Sequence, residues 1–549
     1  MTTTSTTDIL VIGGGLAAVS AAIAAAETGA DVIIANKGIT GKAGSSSKAA
    51  GILAAPFGHG GLDQHPVADS PDHHAADSLA VGHNMGAPDL VKLMTENACA
   101  AVRWLQDYGV TFSQKDTGHF VQLNAPGNSR PRACSAIGGG AAIMAVMRAA
   151  AQRLGVRFFD QMTAYDLHKH RQQVVGAALY DGNATTHQIA AKSVILCAGG
   201  ATGLFPTVSG DQDNVGNGLI LGLQAGAALG NLEFVEYTLI YRVKGRLLRI
   251  AGLAPFMSRG AMLLNDHGEN LMARYFAKTP SAQIGRAEIL RVVQQEIIAG
   301  RGPVWLDCTQ FSQAVWAEFE DSQGDVVLRK ITDAGGDYRT EKIEVVPAAH
   351  SVLAGLVIDT NAATTVPGLF AAGENVTGIH GAGRLSGNGL TACVVLGRIA
   401  GKNASAFAAH TSLAIAPPTD AAATTRLAPK RRAALIAAMR AAAGGGLGVI
   451  RNHAGIAAAH SVFTEIRDTL GPVDRLHPAD RDIAQMAMLG LLMCVAAMQR
   501  PESRGVQCRD DAPALHADWT KWQIVTKINP NTAPHKHPNE FIWTTRAVG

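Results

Sequence analysis

Ile9-Leu-Val-Ile12-Gly13-Gly-Gly15-Leu-Ala-Ala18 decides the fold class. Ile9 to Ile12 is a short run of branched apolar residues, the signature of a strand buried on both faces. Three glycines follow at once, then an Ala-rich stretch from Val19 to Thr28 that reads as a helix and closes at Gly29. Val32-Ile-Ile-Ala35 reads as a second strand. This strand–turn–helix–strand order is that of a dinucleotide-binding unit. Gly13 allows the tight turn, and Gly15 lets the backbone approach a pyrophosphate at the helix N-terminus. Ala18 is small enough for the helix to pack on the strand. After the second strand, where a ribose-binding acid is usual, stand Asn36 and Lys37. The Asn36 amide is able to hydrogen-bond ribose hydroxyls.

Two later segments point to FAD rather than NAD. Val194-Ile-Leu-Cys-Ala-Gly-Gly200 and Leu369-Phe-Ala-Ala-Gly-Glu374 are strands that run into glycines far downstream. A flavin half needs its own cradle beside the first strand, whereas an NAD domain needs no such additions.

Composition limits the rest. The chain has 549 residues, more than one ordinary core holds, with 47% hydrophobic and 17% charged residues, as in a folded globular protein. A net charge of +3 gives no argument for nucleic acid. The seven cysteines are dispersed, without CxxC or a close cluster, so no metal site or iron–sulfur motif is visible. Scattered thiols and a Thr-rich start, Met1 to Asp8, without a basic-then-apolar leader suggest a cytoplasmic protein. The most apolar stretch, Ile483 to Met498, contains Gln485 and falls short of the roughly 20 residues that cross a bilayer, so it reads as a core helix.

Ordered blocks along residues 8 to 512 resemble the fumarate reductase, succinate dehydrogenase and L-aspartate oxidase flavoprotein family. They include Ser45-Ser-Ser-Lys-Ala-Ala-Gly51, His74-Ala-Ala-Asp77-Ser78, Trp104-Leu-Gln-Asp-Tyr-Gly109, Gly199-Gly-Ala-Thr-Gly203 and Gly216-Asn-Gly218. Leu232-Glu-Phe-Val235, His350-Ser-Val-Leu-Ala-Gly355, His380-Gly-Ala-Gly-Arg384-Leu-Ser-Gly-Asn388 and Glu502-Ser-Arg504-Gly505 continue the series. The resemblance implies an α/β fold: a Rossmann-like FAD-binding domain (1–237 and 350–410) and an inserted α+β capping domain (238–349). A linker at Pro417-Pro418, a C-terminal helical domain (418–512) and a tail (513–549) complete the chain. It implies FAD contacts at Gly13, Gly15, Ala18, Asn36, Lys37, Ser45, Ser46, Gly51, Ala164, Gly199, Asn217, Glu374, Arg384, Asn388, Gly389 and Leu390. Gly44 aligns with the histidine that carries covalent FAD in some members, so FAD is expected to be noncovalent here.

The resemblance also implies hydride transfer at flavin N5 to or from a small carboxylate or other anionic substrate. Arg384 resembles the carboxylate clamp, where a planar guanidinium fork suits a planar acid. His350 resembles a second substrate contact. Arg286 resembles the proton-donating arginine, but arginine is a poor acid and needs a carboxylate beside it. The family has Asp after this arginine; here Ala287 follows, and Glu288 lies off the same helix face. Further on, Thr238 stands where dicarboxylate enzymes have histidine, and a gap-free count puts Leu253-Ala254 at their Thr-Glu pair. An apolar wall solvates a carboxylate poorly, so succinate, fumarate and aspartate are not the expected substrates. Arg242, Lys244, Arg246 and Arg249 form either a replacement anion site or, the preferred reading, a solvated basic face. The alternatives are a noncatalytic electron-transfer flavoprotein and the flavin subunit of an adenylylsulfate-reductase-like enzyme. No redox centre beyond FAD is visible, so electrons are expected to leave to oxygen, a dye-like acceptor or a separate iron–sulfur, ferredoxin-like subunit.

Overall fold

The computed structural model describes residues 2–57, 68–114, 119–123, 125, 127–182, 185–250, 253–257, 259–278, 284–320, 325–414, 426–527 and 541–548. The Pro417-Pro418 linker lies outside the described residues.

The opening motif forms the centre of the largest sheet. Its first strand, Thr2–Ile12, begins earlier than the apolar run, because the threonines pair in parallel with the strand Thr186–Leu196 from Thr2↔Thr186 onward. The helix Leu16–Ala26 starts three residues earlier than the Ala-rich stretch, and the strand Val32–Asn36 lies parallel to the first with Ile9↔Val32. Arg157–Asp160 extends the sheet beyond Val32–Asn36. On the other side, Thr186–Leu196 takes the parallel strand Leu369–Ala371 and the antiparallel hairpin Gln173–Tyr180 and Thr163–His170. The late strand thus reaches the first sheet from far downstream, as the glycine-terminated pattern suggests.

Small residues bring two helices together over this sheet. A Cβ at Gly397 would meet the Ala17 carbonyl oxygen at 2.6 Å, and one at Gly401 would meet that of Ala21 at 2.2 Å. The helix Asn388–Ala409 therefore packs backbone-to-backbone on Leu16–Ala26, and Ala18 is fully buried between them and the strands.

A second sheet, antiparallel throughout, is built from Arg246–Leu248, Val235–Val243, Ile343–Val352, Val304–Asp307 and Met262–Leu264 in that order. The helix Arg286–Ile298 belongs to this part of the chain. Its basic hairpin faces solvent: Arg242 pairs with Glu344 and Lys244 with Glu341, while Arg246 and Arg249 are exposed.

Three helices follow, Pro429–Gly446, His453–Leu470 and Arg481–Gln499. The last contains the Ile483 to Met498 stretch. One window of Pro478–Gln499 passes a membrane-span test by length and hydropathy, yet 83% of it is buried inside the protein. Gly490 sits against Phe463, whose ring a Cβ would meet at 2.3 Å. The segment after 513 is more than a tail. Lys521–Lys527 and Phe541–Ala547 pair with each other and join Leu229–Gly230 and Gly355–Leu356 in a four-stranded sheet. A buried ion network ties it down. Arg500 donates to Glu233 at 2.7 Å and to Glu502 at 2.9 Å, and Arg504 donates to Glu502 at 2.6 Å. Removing one member would leave an uncompensated buried charge, the costly way to break such a network.

Candidate active site

The parallel strands Thr2–Ile12, Val32–Asn36 and Thr186–Leu196 end together, and a cleft of about 990 Å³, its open mouth included, lies beyond their carboxyl ends. This is where open α/β sheets hold ligands. Gly13, Gly15, Asn36, Lys37, Ser45, Ser46, Ala164, Gly199, Asn217 and Glu374 line it. Gly13 has φ +123° and presses on the next strand; a Cβ there would meet the Cys197 carbonyl oxygen at 2.1 Å. Gly15 caps the helix Leu16–Ala26 with no side chain on its amides, except that Leu16 N–H donates to Ser46 Oγ at 3.0 Å. The helix N-terminus is therefore open to an anion.

The donor set fits a dinucleotide. Asn36 Nδ2 is buried with no partner, an orphaned donor at the rim of the cleft where a ribose hydroxyl would satisfy it. Lys37 also lines the cleft, but its ammonium lies 3.5 Å from Asp482. Asp211 shapes the adjoining wall: it accepts from Gly44 N–H at 2.7 Å and pairs with Lys48 at 2.8 Å. Burial alone would raise its pKa, and these cationic and backbone donors outweigh that, leaving it lowered.

Ala18, Gly51, Arg384, Asn388, Gly389 and Leu390, also expected at the cofactor, are not among the residues that line this cleft. Ala18 packs the helix on the sheet, and Gly51 leaves room for Gly139, whose Cα a Cβ would meet at 2.6 Å. The buried Asn388 side chain is held by His74 Nε2 at 2.7 Å and donates to Ser78 Oγ at 2.9 Å. Gly389 makes space for Arg384, whose Nη1 a Cβ would meet at 3.0 Å.

The three expected catalytic residues converge, and the group that joins them is Glu236. It opens the strand Val235–Val243 and is buried. Its Oε2 accepts from Arg384 Nε at 3.1 Å and Nη2 at 2.7 Å, and its Oε1 accepts from Arg286 Nη1 at 3.0 Å. Burial would raise the Glu236 pKa, but the Arg384 and Arg286 charges win and hold it at about 2. Arg384 keeps Nη1 without a partner among the described residues. Arg286 is the first residue of its helix. Glu288 turns back over Gly285, where a Cβ would meet its Oε2 at 2.6 Å, so it does not serve Arg286.

His350 completes the group. Its Nδ1 lies 2.7 Å from Ser209 Oγ, which orients the ring and leaves Nε2 for another partner. Burial, opposed by Glu236 and helped by Arg384 and Arg286, pushes its pKa down to about 3, so the imidazole is neutral. Glu374 connects the group to the cofactor cleft. It lines the cleft, accepts from Val352 N–H at 2.9 Å just past His350, and feels the Arg384 and Glu236 charges. Burial pushes its pKa up to about 7. Sequence reasoning missed Glu236 and Ser209. Glu236 carried a signal: a carboxylate inside the apolar strand Val235-Glu-Tyr-Thr-Leu-Ile240 demands a cationic partner. Ser209 carried none.

Thr238 is buried in the same strand. Leu253 packs against the apolar core, and Ala254 begins the short helix Ala254–Met257. Among the described residues no group of three or more His, Cys, Asp or Glu is placed to hold a metal.

Comparison with known proteins bears on the family and the fold. A family model described as FAD binding domain matches residues 8–390, and one described as Fumarate reductase flavoprotein C-term matches residues 437–540. A fumarate reductase (CoM/CoB) of Methanothermobacter marburgensis is 28% identical in one of its subunits, over 94% of this chain and 96% of that relative's own length. An L-aspartate oxidase of Agrobacterium fabrum is 31% identical over 91% of this chain and 90% of its own. The solved structure of a variant of E. coli quinol fumarate reductase FrdA superposes with a TM-score of 0.85 at 21% identity, covering 99% of this chain and 97% of that one.

Proposed function

The chain belongs to the FAD-binding flavoprotein family that includes fumarate reductases and L-aspartate oxidases, and from that premise we propose that its substrate is a small monocarboxylate. The family places it among FAD-dependent oxidoreductases. FAD, when bound, supplies the hydride donor or acceptor at flavin N5.

The observation that carries the reading is the meeting of Arg384 and Arg286 on one buried carboxylate, whose charge also acts on His350, near Glu374 of the cofactor cleft. Arg384 uses its Nε–Nη2 edge on Glu236 and turns Nη1 to the substrate carboxylate. His350, held by Ser209, offers a neutral Nε2 to the same substrate. Arg286 presents N–H at the carbon that gains or loses the proton; burial lowers its pKa, which eases that exchange, while Glu236 opposes the shift. Residues 238–349 act as the cap that keeps water from the reacting carbon, 1–237 and 350–410 hold FAD, and 418–512 brace them.

Thr238, Leu253 and Ala254, which stand where the resemblance puts the polar ligands of dicarboxylate enzymes, support excluding succinate, fumarate and aspartate. Noncovalent FAD is supported by Gly44, which has no nucleophile; acid precipitation should release the yellow flavin, and flavin retained on the protein would contradict it. All seven cysteines are free thiols, which supports a reducing, cytoplasmic setting. Fractionation that finds the protein outside the cytoplasm would contradict the setting. Anaerobic mixing with a panel of small acids tests the activity. Bleaching of the flavin by at least one monocarboxylate is expected, and silence of the whole panel in both oxidised and reduced enzyme would contradict it.

A further inference from the structure

Two guanidinium groups from distant parts of the chain share one carboxylate at the candidate substrate site. Arg286 comes from the cap helix and Arg384 from the loop before the helix Asn388–Ala409. Glu236 lies between them with both oxygens engaged. Among the described residues, the titratable groups that act on it add no further cation. His350 and His380 are both pushed down to about 3 by burial and are neutral, and Glu374 contributes either nothing or a negative charge. The described residues of the site therefore carry at most one net positive charge.

We propose that Glu236 is the specificity-determining residue of this site, a fixed negative charge that cancels one of the two arginines and so matches a monocarboxylate while repelling a dicarboxylate. The proposal rests on the reading of Arg384 as the substrate clamp. Glu236 is not a proton carrier, because a carboxylate held at about 2 stays ionised at neutral pH and has no proton to pass. A purely structural latch between Arg286 and Arg384 makes the opposite prediction, that replacing Glu236 leaves the preference between mono- and dianions unaltered.

The test is binding to oxidised holoenzyme, read from the flavin absorbance, with butyrate and succinate as probes. The two differ by one carboxylate on the same four-carbon chain. The wild-type protein should bind butyrate more tightly. Glu236→Gln keeps the shape and one acceptor but frees the second positive charge. It should move the butyrate-to-succinate affinity ratio toward succinate by about tenfold or more, the low end of what a charge at ~4–6 Å does to an ionised neighbour. Glu236→Asp keeps the charge and should keep the ratio. An unchanged ratio in Glu236→Gln with flavin still bound would overturn the proposal, and so would tighter succinate binding by the wild-type protein, a result that needs no variant to fold. Butyrate binding indifferent to Arg384→Lys would instead overturn the clamp on which the proposal stands.

Discussion

Arg384 is the residue on which the substrate reading turns. Its guanidinium faces two ways: one edge is committed to Glu236, and Nη1 is left over. Lysine would keep the charge but is a point cation without a second edge, so it would satisfy Glu236 or the substrate, not both. Loss of one charged hydrogen bond costs about 1.5–3 kcal/mol. Arg384→Lys should therefore lower kcat/KM roughly ten- to hundredfold while FAD stays bound. Near-normal kinetics would make Arg384 a structural tie to Glu236 alone. Arg384, His350 and Arg286 were legible as motif positions. Their common partner was not, because Glu236 is 50 positions from Arg286 and 148 from Arg384, and only the folded chain brings them together. The missing acid after Arg286 was visible at Ala287; the carboxylate that pairs with Arg286 from a neighbouring strand was not.

At the level of elements, the turn from the first strand into the helix Leu16–Ala26 was readable because its determinants are local: branched residues, glycines and alanines in order. Gly15 is the useful probe of its function. A Cβ there would meet only Ser46 Oγ, at 3.1 Å, and Ser46 Cβ, at 3.9 Å, and the φ of −82° suits any residue. The fold should tolerate a side chain that the cofactor does not, since it would project where the pyrophosphate approaches the helix N-terminus. Gly15→Leu should give a folded protein with little or no FAD. A full flavin complement would show that the pyrophosphate lies elsewhere. Less readable were the strand Thr2–Thr7 and the pair Lys521–Lys527 and Phe541–Ala547. Thr2 to Thr7 has no apolar residue, and the other two mix short apolar groups with threonine and charge without a regular period; pairing with Thr186–Leu196 and with Leu229–Gly230 draws them into sheets.

Over the whole molecule, the cofactor half and the substrate half differ in what they owe to local pattern. The cofactor cleft lies at the ends of strands whose sequence announces them. The candidate substrate site is assembled from the cap helix, the antiparallel sheet and a loop of the FAD-binding part, with one carboxylate between two arginines. That balance is the ground for the proposal of one carboxylate on the substrate rather than two. An ionised carboxylate buried without partners is costly enough that it would stay in water or bind protonated. Steady-state turnover with a dye acceptor, run alongside oxidation of the reduced flavin, tests this most directly when succinate, fumarate and aspartate are compared with monocarboxylates of similar size. The expected result is electron exchange with one or more monocarboxylates and at most feeble exchange with the three dicarboxylates; efficient succinate oxidation, fumarate reduction or aspartate oxidation would contradict the account.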